Sequence, residues 1–449
     1  MHLCRWNESR VTHGAGDDCN LSRLRWQSAA RDGIPSGESR AAIGRETWGA
    51  FQRQDRRSLL WRRAGLALAL FVLGSACFGR QGSQTTAQEC SPAHPLLCGK
   101  LTLAATGKEQ PARGKVRTYF IAADRVDWDY TPRGRNLTGV PVQEGAEDPA
   151  SNNPHRIYPK AIYREYTDAT FQTLKPRPPA WEHLGILGPL IRAEVGDTVR
   201  VVFRNNTKLS CTMHPHGLEY AKASEGALYS DGDSTGKAGD MVRPGQTYTY
   251  IWYVPARAGP GPMDGSSVLW MYHSHFIESK DMNTGLLGPI IVTARGASRP
   301  DGTPKDVDRE FVLAFAIFDE TDSWYFDAWS SHVEHSGRMR SSNPIFRDKH
   351  LLYSINGYTE GNLPLLTMKK GERIRWYLLS NANEEDVHMV HWHGETVIYN
   401  HMRTDTVPLQ PMSMAIADMV PDNVGLWLLH CHVNDHFVGG MAALFRVDP

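Results

Sequence analysis

Histidines in this chain of 449 residues gather in four short clusters, two in the middle and two near the end. The clusters are His214-Pro215-His216, His273-Ser274-His275, His388-Met389-Val390-His391-Trp392-His393 and His430-Cys431-His432-Val433-Asn434-Asp435-His436. Because alternate residues of a strand point to the same face, each His-x-His places two imidazoles side by side, about 7 Å apart. Four converging pairs would offer eight nitrogen ligands, which suits a group of three copper ions.

The last cluster also predicts a second kind of metal site. If its two histidines that flank the cysteine face one way, Cys431 faces the other. Its thiolate, together with His388, His436 and a weak sulfur ligand from Met441, gives the ligand set of a blue copper site. An electron-accepting copper would then lie back to back with an oxygen-reducing cluster. That arrangement suits an enzyme that takes electrons singly and delivers them to a multi-electron acceptor.

Two other interpretations of these residues exist. A single histidine pair on a strand is usually structural, and zinc sites also use histidine and cysteine. Eight paired histidines with one isolated cysteine do not match a zinc-finger pattern, and the chain has no CxxC pair. The copper interpretation is therefore favoured.

The elements expected to position the clusters are short strands. Runs rich in β-branched and aromatic residues, bounded by glycine, proline and asparagine, predict an all-β fold. The runs span residues 116–121, 198–203, 248–254, 288–292, 311–318, 373–379 and 442–447. Equal totals of 49 basic and 49 acidic residues give no reason to expect nucleic acid as a partner.

A repeat relates the two groups of strands. Residues 194–200 match residues 370–375, and each stretch is followed by asparagine-rich sequence and a histidine cluster. Each group also ends with a His-x-His and a glycine-rich run before its last strand. Two copies of one β-sandwich are therefore expected.

Residues 1–111 differ from the rest and predict a leader and a linker. Basic residues, an apolar run from Ala64 to Phe78 and the small residues Gly74, Ser75 and Ala76 near its end predict an export signal at about residues 53–78. The alternative is a basic, partly buried helix. The order Arg56-Arg57-Ser58-Leu59-Leu60 is similar to a twin-arginine signal, so a periplasmic or extracellular location is expected. A signal this far from the first residue also predicts a later translation start.

The four clusters resemble the copper signatures of the multicopper oxidases. The resemblance implies copper as cofactor, with one type 1, one type 2 and two type 3 ions in each functional unit. His214 and His391 would hold the type 2 copper. The type 1 ligands would be His388, Cys431, His436 and Met441. The type 3 pair would be held by His216, His273, His275, His393, His430 and His432.

Further motifs are similar to those of ceruloplasmin, hephaestin and the A domains of coagulation factors. They span residues 181–190, 192–197, 225–227, 280–289, 319–325 and 354–359. The likeness covers about residues 114 to 447. It implies two cupredoxin-like Greek-key β-sandwich domains after the leader and linker, at residues 112–297 and 306–449. The first would lack type 1 copper, because Ser274 stands where the second has cysteine.

The domain count implies an assembly. The six-domain relatives form the three-copper cluster between their first and last domains, which close a ring. A two-domain chain is expected to imitate that ring as a homotrimer, with trinuclear clusters between subunits.

The resemblance also implies the reactants. Molecular oxygen would be the acceptor, reduced to water. In ceruloplasmin-like ferroxidases acidic residues beside the type 1 histidine bind ferrous iron, and Asp435 and Asp348 (where the family has glutamate) occupy two such positions. A third position, histidine in the last ferroxidase domain, is Tyr353 here. The residues expected near the type 1 site that would compensate are Asp405, His332 and His335.

The alternative donor is a small phenol or aromatic amine, as in laccase-like oxidases, which need a shallow cleft near His436 and one carboxylate to accept a proton. A copper nitrite reductase would carry its type 1 ligands in the first domain, and a copper-free binding scaffold should have lost ligands. Neither matches the clusters. Cuprous oxidation would suggest a methionine-rich tract, which the 14 methionines do not form.

Overall fold

The structure is a computed structural model that describes residues 114–140, 156–232, 237–333, 344–381 and 387–449. The chain divides into two units after residue 103, and all of the described residues belong to the second unit. The predicted export signal and the whole of the predicted linker lie outside the described residues. Among the described residues, no helix is both long and apolar enough to cross a bilayer.

The fold is all-β, as predicted. We call the described residues up to 297 the first domain and those from 306 the second domain. Strands of the first domain form two sheets, in the orders β2-β1-β4-β7-β6 and β3-β9-β8-β5. They are β1 (Val116–Asp129), β2 (Ile157–Tyr166), β3 (Ile191–Glu194), β4 (Thr198–Asn205), β5 (His214–Pro215), β6 (Glu219–Tyr220), β7 (Thr247–Tyr253), β8 (Ser267–His273) and β9 (Leu287–Thr293).

Strands of the second domain also form two sheets, in the orders β11-β10-β13-β18-β15-β16 and β12-β20-β19-β14-β17. They are β10 (Arg309–Asp319), β11 (Leu351–Ile355), β12 (Leu366–Lys369), β13 (Ile374–Ser380), β14 (His388–Trp392), β15 (Val397–Tyr399), β16 (Met402–Thr404), β17 (Thr406–Leu409), β18 (Met414–Met419), β19 (Gly425–Cys431) and β20 (Ala442–Asp448).

Helices are few and short. The α-helices are α1 (Glu278–Thr284), α2 (Phe326–Val333), α3 (Pro344–Asp348) and α4 (Asn434–Val438). The 3-10 helices are Pro179–Leu184, Lys222–Ser224, Lys237–Gly239, Ala256–Ala258 and Glu320–Asp322. Both α1 and α4 lie just after a His-x-His, so each domain places a helix beside its last histidine cluster.

Each pair of sheets encloses its own core. In the first domain, Phe203 and Trp252 of one sheet share a cluster with Tyr272 and Ile290 of the other. In the second domain the corresponding cluster includes Trp376 and Phe445, and 21 further strand residues line it on both sheets. Burying a large apolar side chain of this kind stabilises the fold by roughly 1.5–3 kcal/mol.

A third cluster joins the two domains. Leu269 and Met271 of β8 lie in it with Val312 and Leu379 of the second domain. A buried hydrogen bond of 2.6 Å between the hydroxyls of Ser267 and Tyr377 crosses the same joint. The two sandwiches therefore form one compact unit, and the bounds 112–297 and 306–449 stay a prediction.

The sequence repeat appears as repeated topology. Parallel pairing joins β1 to β4 and β3 to β9 in the first domain, and β10 to β13 and β12 to β20 in the second. The matching residues 194–200 and 370–375 span the connections from β3 to β4 and from β12 to β13. Each sandwich thus brings its histidine-bearing strands, β5 and β8 or β14 and β19, into one sheet.

Candidate metal centres

The cysteine of the last cluster lies in a buried triad with two histidines. The Sγ atom of Cys431 is 3.8 Å from Nδ1 of His388 and 3.5 Å from Nδ1 of His436. The two Nδ1 atoms are 3.2 Å apart. Met441 is fully buried in the same core cluster as Cys431. The structure therefore brings three of the four predicted type 1 ligands together and places the fourth in the core around them.

Three elements position this triad. His388 begins β14, Cys431 ends β19 and His436 lies on α4. The backbone N–H of Met389 donates to Sγ of Cys431 at 3.4 Å. The N–H of Met441 donates to the carbonyl oxygen of His436 at 2.9 Å, which closes the loop between β19 and β20.

The triad has the chemistry of a copper site. Burial and the neighbouring His436 imidazole lower the pKa of His388 to about 3. Burial also lowers the pKa of His436. Both imidazoles are therefore neutral at pH 7, the form in which histidine binds a metal. One thiol and two neutral imidazoles, aimed at one point and backed by a methionine, fit a type 1 copper.

The first two histidine clusters meet between β5 and β8. These strands pair antiparallel with His214 opposite His273. The Nε2 atom of His216 lies 3.0 Å from Nε2 of His273, and the ring centroid of His275 lies 5.2 Å from that of His214. Burial lowers the pKa of His216 to about 4 and that of His273 well below its usual value. We call these four histidines the first half-site.

The other two clusters repeat this arrangement between β14 and β19, where His391 lies opposite His430. The Nε2 atom of His430 is 3.2 Å from Nδ1 of His391 and 3.1 Å from Nε2 of His393. The ring centroid of His432 lies 5.1 Å from that of His391. Burial lowers the pKa of His430 to about 4. We call these four histidines the second half-site.

The two half-sites are separate groups within one chain. Ring contacts join histidines within the first half-site and within the second. Among the described residues, no ring contact joins one half-site to the other. Three histidines of each half-site also have ligand atoms within 4.8 Å of one another. Each half-site is thus arranged to bind metal.

Comparison with known proteins identifies the family. Residues 183–297 and residues 334–449 each match a family described as multicopper oxidase. The chain belongs to the multicopper oxidase family. Copper is the cofactor that this family implies, and the triad and half-sites have donor sets that fit it.

Three human proteins are similar to this multicopper oxidase over about three quarters of its length. Ferroxidase HEPHL1 of Homo sapiens is 40% identical over 341 residues, covering 74% of this chain and 29% of that protein. Hephaestin of Homo sapiens is 39% identical, covering 74% and 28%. Ceruloplasmin of Homo sapiens is 38% identical, covering 75% and 32%. The chain therefore spans about a third or less of the length of these relatives.

Two of the residues predicted to bind the electron donor are exposed, and Tyr353 occupies the third position of the ferroxidase pattern. Asp435 is exposed on α4, next to His436, and Asp348 is exposed at the end of α3. Tyr353 of β11 lies against the triad, with its ring centroid 5.6 Å from that of His436.

The expectation for Asp405 is wrong. Its carboxylate lies 3.6 Å from Nε2 of His391, in the second half-site. His391 and His388 sit near opposite ends of β14, and β17 runs antiparallel to that strand from Thr406, so Asp405 is at the end away from the triad. The side chain of His332 and the whole of His335 lie outside the described residues.

Asp281 lies in the motif at residues 280–289, and no local pattern in the sequence predicts a role for it. This carboxylate is fully buried behind the first half-site and accepts hydrogen bonds from Ser274 and Trp324. Continuing the repeat past the histidines would have found it, because α1 and α4 occupy the same place in their domains.

Proposed function

We propose that the protein is an oxidase that takes electrons singly at the triad and uses them to reduce oxygen to water at a three-copper cluster. Bound copper supplies the one-electron redox chemistry. The supporting observation is the strand β19. Cys431 at its end is a member of the triad, while the adjacent His430 belongs to the second half-site. Donor oxidation and oxygen reduction would then be linked through neighbouring residues.

The half-sites support a cluster shared between chains. Each provides four histidines, and one chain keeps its two sets apart. A homotrimer in which the first domain of one chain meets the second domain of the next would complete each cluster with eight histidines. In this assembly His214 and His391 would hold type 2 copper, and the other six histidines the type 3 pair.

Ferrous iron is the donor that the acidic residues favour. Asp435 and Asp348 are both exposed, and Asp435 directly precedes His436 of the triad. Carboxylate oxygens suit this cation. The similarity to a protein named Ferroxidase HEPHL1 also supports iron. In this proposal the two aspartates bind the ion, and His436 is the side chain through which its electron reaches the triad.

A small phenol is the second candidate donor, because Tyr353 favours it. Its ring lies against His436 and is partly exposed. An aromatic surface suits an aromatic substrate, and Asp435 would accept the phenol proton.

Export to the periplasm or the extracellular space is part of the proposal. It is supported by the signal predicted at about residues 53–78, and the twin-arginine order at residues 56–60 favours export of a folded, copper-loaded protein.

Oxygen uptake by the copper-loaded protein distinguishes the donors. Ferrous iron and a simple phenol are supplied in parallel to the wild type, to Asp435→Ala and to Asp348→Ala. A ferroxidase should oxidise iron quickly, and each substitution should raise the KM for iron by about tenfold, since about 1.4 kcal/mol of binding free energy gives that factor. Asp127→Ala is the control, because its carboxylate is 59% exposed on β1 and contacts Arg125.

Efficient phenol turnover that falls in Asp435→Ala, together with slow iron turnover that neither substitution changes, would establish the laccase-like alternative. Absence of uptake with both donors, in protein that binds copper, would contradict the proposed function.

A further inference from the structure

The repeat places a counterpart of the triad in the first domain. Cys211 lies three residues before His214, just as His388 lies three residues before His391. The N–H of Thr212 donates to Oγ of Ser274 at 3.0 Å, as the N–H of Met389 does to Sγ of Cys431. The N–H of Leu286 donates to the carbonyl oxygen of Asp281 at 3.1 Å, as that of Met441 does to His436. The counterparts of His388, Cys431, His436 and Met441 are therefore Cys211, Ser274, Asp281 and Leu286.

These four residues, which we call the counterpart pocket, form a closed polar site rather than a metal site. All four are at most 1% exposed. One thiol, one hydroxyl, one carboxylate and one leucine do not offer the imidazoles of a type 1 copper. Burial raises the pKa of the Cys211 thiol well above its usual value, so it stays neutral. In the counterpart pocket, hydrogen bonds therefore join the side chains whose equivalents in the second domain would be joined by a metal ion.

Asp281 is the centre of these hydrogen bonds. Its Oδ2 atom accepts from Oγ of Ser274 at 2.7 Å, from N of Phe276 at 3.1 Å and from N of Ile277 at 3.0 Å. The three donors belong to the segment that directly follows His273 and contains His275. One buried carboxylate thus fixes the backbone on both sides of His275.

The other carboxylate oxygen of Asp281 is held from the second domain. Nε1 of Trp324 donates to Oδ1 of Asp281 at 2.8 Å. The backbone N–H of Trp324 donates to Oγ1 of Thr284, at the end of α1. The ammonium group of Lys280 lies over its ring, 5.4 Å from the centroid. The second domain therefore fixes the orientation of the carboxylate that holds the first half-site.

We propose that Asp281 is a positioning residue that holds His273 and His275 in place for metal binding. In the second domain, the bonds from the triad to its metal ion would hold the segment around His430 and His432 in the same way. In the second domain, Cys431 and His436 would share one ion, which ties the end of β19 to α4. In the first domain, Ser274 and Asp281 make that tie by a hydrogen bond. This inference rests on the proposed function, because it needs the half-sites to bind copper.

The test compares copper binding by the full chain in wild type, Asp281→Ala, Asp281→Asn and Trp324→Phe. The readouts are the electron paramagnetic resonance signal of type 2 copper, the near-ultraviolet band of type 3 copper and the blue band of type 1 copper. Partners that orient metal ligands typically change metal affinity 10–100-fold. Asp281→Ala should therefore weaken type 2 and type 3 binding about 10–100-fold and leave the blue band intact.

The asparagine variant Asp281→Asn allows a test by rescue, in which a second substitution restores copper binding. Its amide oxygen can replace Oδ2 and accept the same three hydrogen bonds, but its NH₂ group then faces the N–H of Trp324. Adding Trp324→Phe removes that second donor. The double variant Asp281→Asn, Trp324→Phe should bind cluster copper more tightly than Asp281→Asn alone, whereas two independent structural defects would add.

Glu320→Gln is the matched control. Glu320 is another buried carboxylate at the joint between the domains; it accepts a hydrogen bond of 2.6 Å from Tyr130 and pairs with Lys160. The substitution Glu320→Gln should lower the midpoint temperature of thermal unfolding without changing the three copper signals.

The outcomes separate this inference from the proposed function. Unchanged type 2 and type 3 signals in Asp281→Ala, or equal loss of all three signals in the Asp281 variants and in Glu320→Gln, would overturn the inference alone. Should Asp281→Ala fail to fold, the rescue of Asp281→Asn decides: tighter binding in the double variant supports the inference, and weaker binding overturns it. A wild type that shows the blue band but no type 2 or type 3 signal would overturn the proposed function, and the inference with it.

Discussion

The two domains present similar surfaces of four histidines and differ in what lies behind them. In the first domain, Ser274 and Asp281 are joined by a hydrogen bond of 2.7 Å. In the second, Cys431 and His436 lie 3.5 Å apart as two members of a metal-binding triad. The flanking strands pair in the same register, with His214 opposite His273 and a matching pair in β14 and β19.

This difference separates two tasks that a metal site can perform. Holding a His-x-His strand end in place requires strong, directed bonds in a buried pocket, and a carboxylate with three donors on one oxygen supplies them. Accepting an electron requires a redox-active ion. On the proposals above, the first domain would keep only the positional task, and the chain would have one donor-oxidising site although its fold is repeated.

The largest expected effect comes from making the second domain resemble the first. Cys431→Ser gives it the hydroxyl that the first domain has at Ser274. A buried hydroxyl does not ionise and is a poor copper ligand. The blue absorption should disappear and donor-dependent oxygen uptake should fall to background, while type 2 and type 3 copper remain. Visible absorption and an oxygen electrode measure both.

The control is Cys211→Ser. Cys211 is the other buried cysteine among the described residues, and it lies in the counterpart pocket of the first domain. The control variant should keep the blue band and most of the activity. If Cys211→Ser abolished the blue band and Cys431→Ser did not, the assignment of the two pockets would be reversed.

A smaller effect is expected at the joint that makes the two domains one unit. His183 donates from Nδ1 to the carbonyl oxygen of Ala180 at 3.0 Å, and its Nε2 accepts from N of Val312 in the second domain at 3.2 Å. Burial lowers its pKa to about 4, partly offset by the bond to Ala180. Protonation would place a second donor against the N–H of Val312.

The sign of the pH dependence follows from this depressed pKa. The unfolded chain takes up the proton near pH 6.5 and the folded chain only near pH 4, so stability is full above pH 6.5 and falls below it. The loss should approach about 3 kcal/mol by pH 4. Denaturant unfolding should show the advantage of wild type over His183→Gln shrinking across this window. A constant difference at all pH values would refute the prediction.

Much of the fold, and the grouping of the residues predicted to bind metal, could be predicted from local patterns. The run 311–318 lies within β10, and alternation along β19 explains why Cys431 and His430 serve different groups. The match between residues 194–200 and 370–375 likewise reflected a repeated connection between strands.

Other features depend on contacts between distant residues and could not be predicted locally. The bond from Trp324 to Asp281 crosses the domain joint. The predicted position of Asp405 beside the type 1 site was wrong because it depends on which end of β14 faces the connection before β17. The ring of Tyr353 reaches His436 only through the packing of β11 against the loop before β20.

The central claim is that the half-sites of one chain complete those of its neighbours, and subunit complementation tests it most directly. His216→Ala disables the first half-site, and His393→Ala disables the second. Each variant alone should keep the blue band and lose oxygen reduction. When the two are unfolded, mixed in equal amounts and refolded together with copper, a ring that joins first to second domains should contain about one quarter fully intact clusters, since half of each domain type is unaltered. About a quarter of wild-type oxygen uptake is therefore expected. No activity above that of the separate variants would contradict the shared cluster and show that each chain must supply both half-sites of its own.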